Sequence, residues 1–275
     1  MTRHSSFTLL LLALSLAACS NKLPAEDGTQ TFDYLQLPPG KSIDSGQLCE
    51  HLKVTATLND NVITLESGAG SYHIKNELDD GASELIAGDF WGNGQCFIAV
   101  MNARSDVNES YDVYEITASS PPYKVPSIPT IINPDFANGV VISSYRDAAR
   151  WHKEKLCYPP GKSPYICEKS DAVNDTLERV IRCDSIGACD RASLMVVVSG
   201  LPATATVSQS KAVIFMPSAD GQMRPQRSYL IRGDRLNLLD HRDLDDAAYY
   251  QFEFKGRKTT VGWIDASAVT LDHRD

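Results

Sequence analysis

Cysteine number and spacing constrain this chain more than any other feature. The seven are Cys19, Cys49, Cys96, Cys157, Cys167, Cys183 and Cys189. Four of them form two close pairs. Cys157 and Cys167 bracket Tyr158-Pro159-Pro160-Gly161-Lys162-Ser163-Pro164, and Cys183 and Cys189 bracket Asp184-Ser185-Ile186-Gly187-Ala188. Proline, glycine, serine and aspartate make both intervals turns, so each pair reaches bonding distance by closing a hairpin. Zinc is the competing use for so many thiols. It needs spacings such as CxxC or a histidine nearby, and neither occurs, so no metal is expected.

Cys19 stands apart because of what precedes it. Arg3 and His4 open a polar segment, and an apolar run follows from Phe7 to Leu16. That run is too short for a ~30 Å bilayer, which takes about 20 residues to cross. Residues 1–18 therefore read as a signal peptide, outside the folded domain. Their end, Leu16-Ala17-Ala18-Cys19, resembles a bacterial lipobox. The resemblance implies diacylglyceryl transfer to the Cys19 thiol, cleavage before it and acylation of the new amino group. Each buried CH2 of such an anchor contributes about 0.8 kcal/mol. Ser20, rather than Asp, follows the cysteine, which is similar to the sorting signal for the outer membrane, facing the periplasm. Without Cys19, six cysteines remain for an oxidising compartment. Six admit many pairings, but closing the two hairpins leaves Cys49 and Cys96 for a long-range bridge.

The mature chain reads as all-β. Residues 19–31 are polar and aperiodic, a tether. Alternating or β-branched runs follow at Leu52–Leu58, Asn61–Glu66, Ser71–Asn76, Cys96–Met101 and Tyr111–Ile116, separated by turn signals such as Gly92-Asn93-Gly94. Further runs lie at Val140–Arg146, Ala149–Tyr158, Tyr165–Lys169, Leu177–Cys183 and Ser193–Ser199, and Ala172–Arg182 also fits a short helix. This pattern predicts a disulfide-stapled propeller or meander β domain over 32–200. A linker is expected at 201–211, where Pro-Ala-Thr-Ala-Thr and Ser-Gln-Ser interrupt the apolar pattern. Residues 212–275 then hold short strands at Val213–Phe215, Gln226–Ile231, Asp234–Leu239, Tyr249–Phe254 and Lys258–Ile264, a small barrel without a cysteine.

Two resemblances refine this. Tyr229-Leu230-Ile231-Arg232-Gly233-Asp234, Leu236, Leu238-Leu239, Tyr250, Phe252, Gly262-Trp263-Ile264-Asp265 and Ala268-Val269 resemble a bacterial SH3 domain. That family implies a small SH3-like barrel, which in some members binds cell-wall peptides and in others serves as an adaptor. Ala87-Gly88-Asp89-Phe90-Trp91-Gly92-Asn93-Gly94-Gln95-Cys96-Phe97-Ile98-Ala99-Val100 is similar to an FG-GAP repeat of integrin-like propellers. There the loop binds calcium, but here Trp91 and Phe97 occupy two ligand positions and cannot coordinate a hard cation, so no cofactor is implied. With Tyr111-Asp112-Val113-Tyr114 and Ser143–Trp151, the segment resembles envelope lipoproteins of degenerate propeller fold. Members of that family include inhibitors and immunity proteins of lysozyme-like effectors.

No enzyme is expected. GxSxG and HExxH are missing, and the S-x-x-K spacing at Ser208–Lys211 falls in the expected linker. Gly40-Lys41-Ser42 and Gly161-Lys162-Ser163 each lack the glycine that opens a phosphate loop; Pro38-Pro39 and Pro159-Pro160 make them turns. Carboxylates at Asp79-Asp80, Asp89 and in the Asp240–Asp246 run read as solvated faces. The net charge of −9 excludes a nucleic-acid partner. It suits a basic protein, since clustered like charges raise encounter rates. Asp240, Asp243, Asp245, Asp246 and Tyr249 are the candidate partner-binding residues. The implied function is to bind and neutralise an envelope-targeting effector, a peptidoglycan hydrolase or a lipase. The alternative is an adaptor whose SH3-like domain binds peptidoglycan or a partner. Besides the membrane at Cys19, a protein or peptidoglycan is therefore the expected partner.

Overall fold

The computed structural model describes residues 32–44, 49, 52–78, 81–137, 139–244 and 247–272. The signal peptide, Cys19, the tether, Asp79, Asp80, Asp245 and Asp246 lie outside them. Among the described residues there is no α-helix, only a 3-10 turn at Ala266–Ala268. The strands are β1 (Tyr34–Leu37), β2 (Ser42–Ile43), β3 (Val54–Asn59), β4 (Val62–Ser67) and β5 (Gly70–Lys75). Next come β6 (Ser83–Gly88), β7 (Cys96–Arg104), β8 (Glu109–Ile116), β9 (Tyr123–Lys124) and β10 (Ile131–Ile132). After them are β11 (Asp135–Ala137), β12 (Val140–Asp147), β13 (Arg150–Cys157), β14 (Tyr165–Ala172), β15 (Leu177–Arg182) and β16 (Ser193–Val196). The chain closes with β17 (Thr204–Val207), β18 (Lys211–Pro217), β19 (Met223–Ile231), β20 (Arg235–Leu244), β21 (Ala247–Lys255), β22 (Thr259–Asp265) and β23 (Val269–Leu271).

The protein is all-β, with four antiparallel sheets. The first runs β2-β3-β4-β5, and the second β1-β6-β7-β8 with β9 and β10 along the far edge of β8. The third is the meander β11 to β16, and the fourth runs β19-β18-β22-β21-β20-β17-β23. None of them closes on itself.

The second sheet is buried on both faces, which is why Cys96–Met101 is an unbroken apolar run. Ile98 and Val100 on β7, with Tyr114 and Ile116 on β8, pack against Leu58, Ile63 and Leu65 of the first sheet. Their neighbours Phe97, Ala99 and Met101 point the other way, into a cluster with Val141 and Leu156 of the third sheet. The Cys49–Cys96 disulfide bridges a sequence separation of 47 to the start of β7. The fourth sheet has its own core of Ala212, Ile214, Leu236, Leu238, Phe252 and Ile264, joined by Leu177 and Leu194 from the third. Gly262 lets β18 and β22 close up, because a Cβ there would sit 2.6 Å from Ile214 Cγ2.

Three expectations change. Ala172–Arg182 is no helix: β14 ends at Ala172, the Asn174 carboxamide accepts from the amides of Thr176 and Leu177, and β15 turns back. That Asx-type turn wins over helix formation. Residues 204–207, assigned to a linker, form β17, which pairs with both β20 and β23. Alternation of Ala203, Ala205 and Val207 marks its buried side, hidden in the sequence by threonines that are good strand residues. The acidic run 240–246 is no free loop up to Leu244, since β20 carries Asp240 to Leu244 opposite Gln251 to Ala247.

Candidate interaction surfaces

The β20–β21 hairpin uses its carboxylates inside the molecule. Arg179 on β15 donates from Nε to Asp240 at 2.7 Å and lies 3.5 Å from Asp171. Arg150, at the β12–β13 tip, donates to Asp243 at 2.8 Å. His241 sits between them, its Nε2 3.2 Å from Asp243 and its side chain almost wholly buried. Burial pushes the His241 imidazole below its ordinary value, Asp243 pulls it up and Arg150 pushes it down again. Asp240 and Asp243 thus hold the fourth sheet to the third. Of the expected steering cluster, Asp245 and Asp246 are outside the described residues. Tyr249 is on the other face of the hairpin, edge-on to Phe215 at 5.2 Å. Arg150, Arg179 and His241 went unnoticed in the sequence, where nothing tells an arginine on one meander which carboxylate of another it will meet.

The six remaining cysteines pair as their spacing predicts, and two bridges lie together. Cys157–Cys167 spans a separation of 10 and Cys183–Cys189 one of 6. Both are at the same end of the third sheet, where the Cys183 amide donates to the Cys167 carbonyl at 2.9 Å. Lys162 of one loop donates to the Ser185 hydroxyl of the other at 2.9 Å. Within the smaller loop Asp184 accepts from the amides of Ile186 and Ala188. The result is a doubly stapled tip whose summit is Ile186, 86% exposed. The sequence offered the two loops separately; their contact was not legible in it.

The Asp89–Gln95 loop is built for itself. Asp89 accepts from the amides of Asn93 at 2.9 Å and Gly94 at 2.7 Å, and Asn93 accepts from the amide of Gln95. Trp91 is buried and donates to the Leu156 carbonyl at 3.2 Å. These oxygens serve backbone N–H groups, and among the described residues no cluster of histidine, cysteine and carboxylate could hold a metal.

Two buried carboxylates are equally committed. Glu84 accepts from the Tyr111 hydroxyl at 2.5 Å and from Gln36, and Glu115 from the Tyr123 hydroxyl at 2.5 Å and from Gln95. The Tyr123 phenol is pushed up to about 12, first by that hydrogen bond. Burial, then the bond to Glu84, raises Tyr111 well above the usual phenol range. A cavity lined by Thr176, Leu177, Val196 and Leu271 measures about 10 Å³, room for a single water at most. Among the described residues no helix is long and apolar enough to cross a membrane.

Comparison with protein-family models, curated proteins and solved structures finds no match to the chain.

Proposed function

We propose that this protein is a lipid-anchored, periplasm-facing inhibitor that binds and neutralises an envelope-targeting effector, in the manner of an immunity protein. The observation that carries this reading is the doubly stapled tip. Two disulfides and a cross-loop hydrogen bond order it before binding, which reduces the entropy lost when it enters a cleft. An isoleucine at the summit gives it an apolar anchor. Three successive antiparallel sheets ahead of residue 200 support a propeller-like scaffold for it. The test is competition between cells: a deletion strain challenged by effector-armed kin lyses, wild-type protein restores survival, and Ile186→Asp does not. Survival of the deletion strain against every such challenger sinks the idea.

A second reading has its own support. In the fourth sheet a 3-10 turn follows β22, β23 returns to pair with β17, and β20 is shared between β21 and β17. This connectivity favours the SH3-like arrangement and with it an adaptor. Purified sacculi incubated with the full mature chain test it, and absence of retention counts against peptidoglycan as the partner.

A further inference from the structure

An antiparallel sheet with one buried face ordinarily shows water a polar one. The fourth sheet departs from this. Its inward positions include Ala212, Ile214, Leu230, Tyr250, Phe252 and Ile264. By the two-residue period of a strand, Val213, Phe215, Tyr229, Tyr249, Val261 and Trp263 point outward. Register confirms that they share a face, since Val213 opposes Tyr229 and Phe215 opposes Trp263. Trp263 is only 6% exposed although it is not part of the apolar cluster on the inner face. Its cover is this outer layer: Phe215 beside it, Tyr249 against Phe215, and the Arg242 guanidinium 5.3 Å over its ring. Tyr229 is half exposed, with the Lys211 ammonium 4.4 Å over its ring.

This face carries two carboxylates, Glu253 opposite Val261 and Asp265 opposite Tyr249, and both are engaged: Glu253 lies 3.3 Å from the Lys255 ammonium, and Asp265 accepts from the amide and hydroxyl of Ser267. Among the described residues, neither Lys211 nor Arg242 forms an ion pair, in a protein of net charge −9. A cation resting on a ring keeps N–H groups directed outward for a carboxylate, and charge-assisted bonds of that kind are the strong ones.

We propose that the outer face of the fourth sheet docks an acidic protein segment bearing apolar side chains. The apolar residues sit on the aromatic centre, and Asp or Glu on either side reaches Lys211 and Arg242. Phe215 and Tyr249 are partly buried and Trp263 is buried, so the aromatic centre projects little, which suits another polypeptide surface. A bilayer takes side chains that project into it. The inference stands independently of the stapled tip, which lies on the third sheet.

The full purified chain, immobilised, is panned against displayed random dodecapeptides. Enriched peptides are expected to combine Asp or Glu with aromatic or branched apolar residues. The double variant K211E/R242E should weaken them about tenfold or more, each tenfold being about 1.4 kcal/mol. Tyr229→Ser, at an exposed site, should weaken them several-fold and keeps the test alive if the charge-reversed variant fails to match wild-type thermal unfolding. Peptides without acid enrichment, or bound equally by wild type and variants, overturn the proposal. So does either rival occupant: phosphatidylglycerol–phosphatidylethanolamine vesicles that bind wild type but not K211E/R242E, or a solution dimer that this variant dissolves.

Discussion

The third and fourth sheets adjoin one another and are held together by opposite means. The third has two disulfides at one end and few apolar side chains across its middle. Its strands are joined laterally by charged pairs directly opposite in register: His152 with Asp171, Glu154 with Lys169, and Glu168 with Arg182. Such cross-strand pairs contribute roughly 0.2–1 kcal/mol each. The fourth sheet has no cysteine and relies on a continuous apolar core. Covalent closure therefore compensates where burial is thin, and the stapled element is the one free to present polar loops and an exposed isoleucine to a partner. An apolar core leaves no such freedom on its inner side, so variation in the fourth sheet falls on its outer face.

The comparison is broken most easily from the fourth sheet. Phe252 is fully buried at its centre, and Phe252→Ala should cost about 3–5 kcal/mol, seen as a lowered urea midpoint. Hydrogen exchange should then accelerate in β17 to β23 before β12 to β15. If both sheets lose protection together, they are one cooperative unit and the contrast is false. Replacing both cysteines of either short loop by serine comes next, at about 2–3 kcal/mol for loops this short. Exchange should quicken at 158–166 and 184–188 while the Phe252 core stays protected. Arg179→Met, which removes the contacts to Asp240 and Asp171, should cost about 1.5–2 kcal/mol, the low end for hydrogen bonds to charged groups because both side chains stay partly exposed. The Arg150–Asp243 pair is more exposed, and Arg150→Ala should cost less than about 1 kcal/mol.

Legibility in the sequence follows the same division. Local information found the two hairpin disulfides, because ten- and six-residue separations with turn residues bring the sulfurs together without help from the rest of the chain. It found most strands, but passed over β6, whose Ser83-Glu84-Leu85-Ile86-Ala87-Gly88 hides a carboxylate satisfied only by Tyr111 and Gln36 far along the chain. Asp240 misled for a related reason, being largely covered beside Arg179, whereas Asp243 stays half exposed next to Arg150. A run of carboxylates looks solvated until arginines from another sheet are in place, and pairing across sheets leaves no periodic signature. Trp263 shows the converse: an aromatic residue on the outer side of its strand is buried because Phe215 and Arg242, far apart in the chain, cover it there.

The smallest effect is the most discriminating for the joint between the two sheets. His241 faces Asp243 and Asp240 on its own strand, Arg150 from the third sheet and the ring of Tyr250, 5.5 Å away. Burial dominates and lowers its affinity for a proton in the folded state. The unfolded chain takes up that proton near the ordinary value of about 6.5, so stability is full above it and declines as pH falls below it. Asp272 titrates in a separate window. Burial raises it, but bonds from Thr206, Thr204 and Arg235 outweigh that and hold it low, so its contribution is lost only as pH falls below about 4. Wild type should therefore unfold at a lower temperature at about pH 5.5 than at about pH 7.5, with β20 and β21 exchanging first. His241→Gln should flatten that interval and leave the loss below about pH 4 intact. A rise in stability on acidification would mean that ionised Asp243 holds the proton on His241, and that charge rather than burial governs the joint.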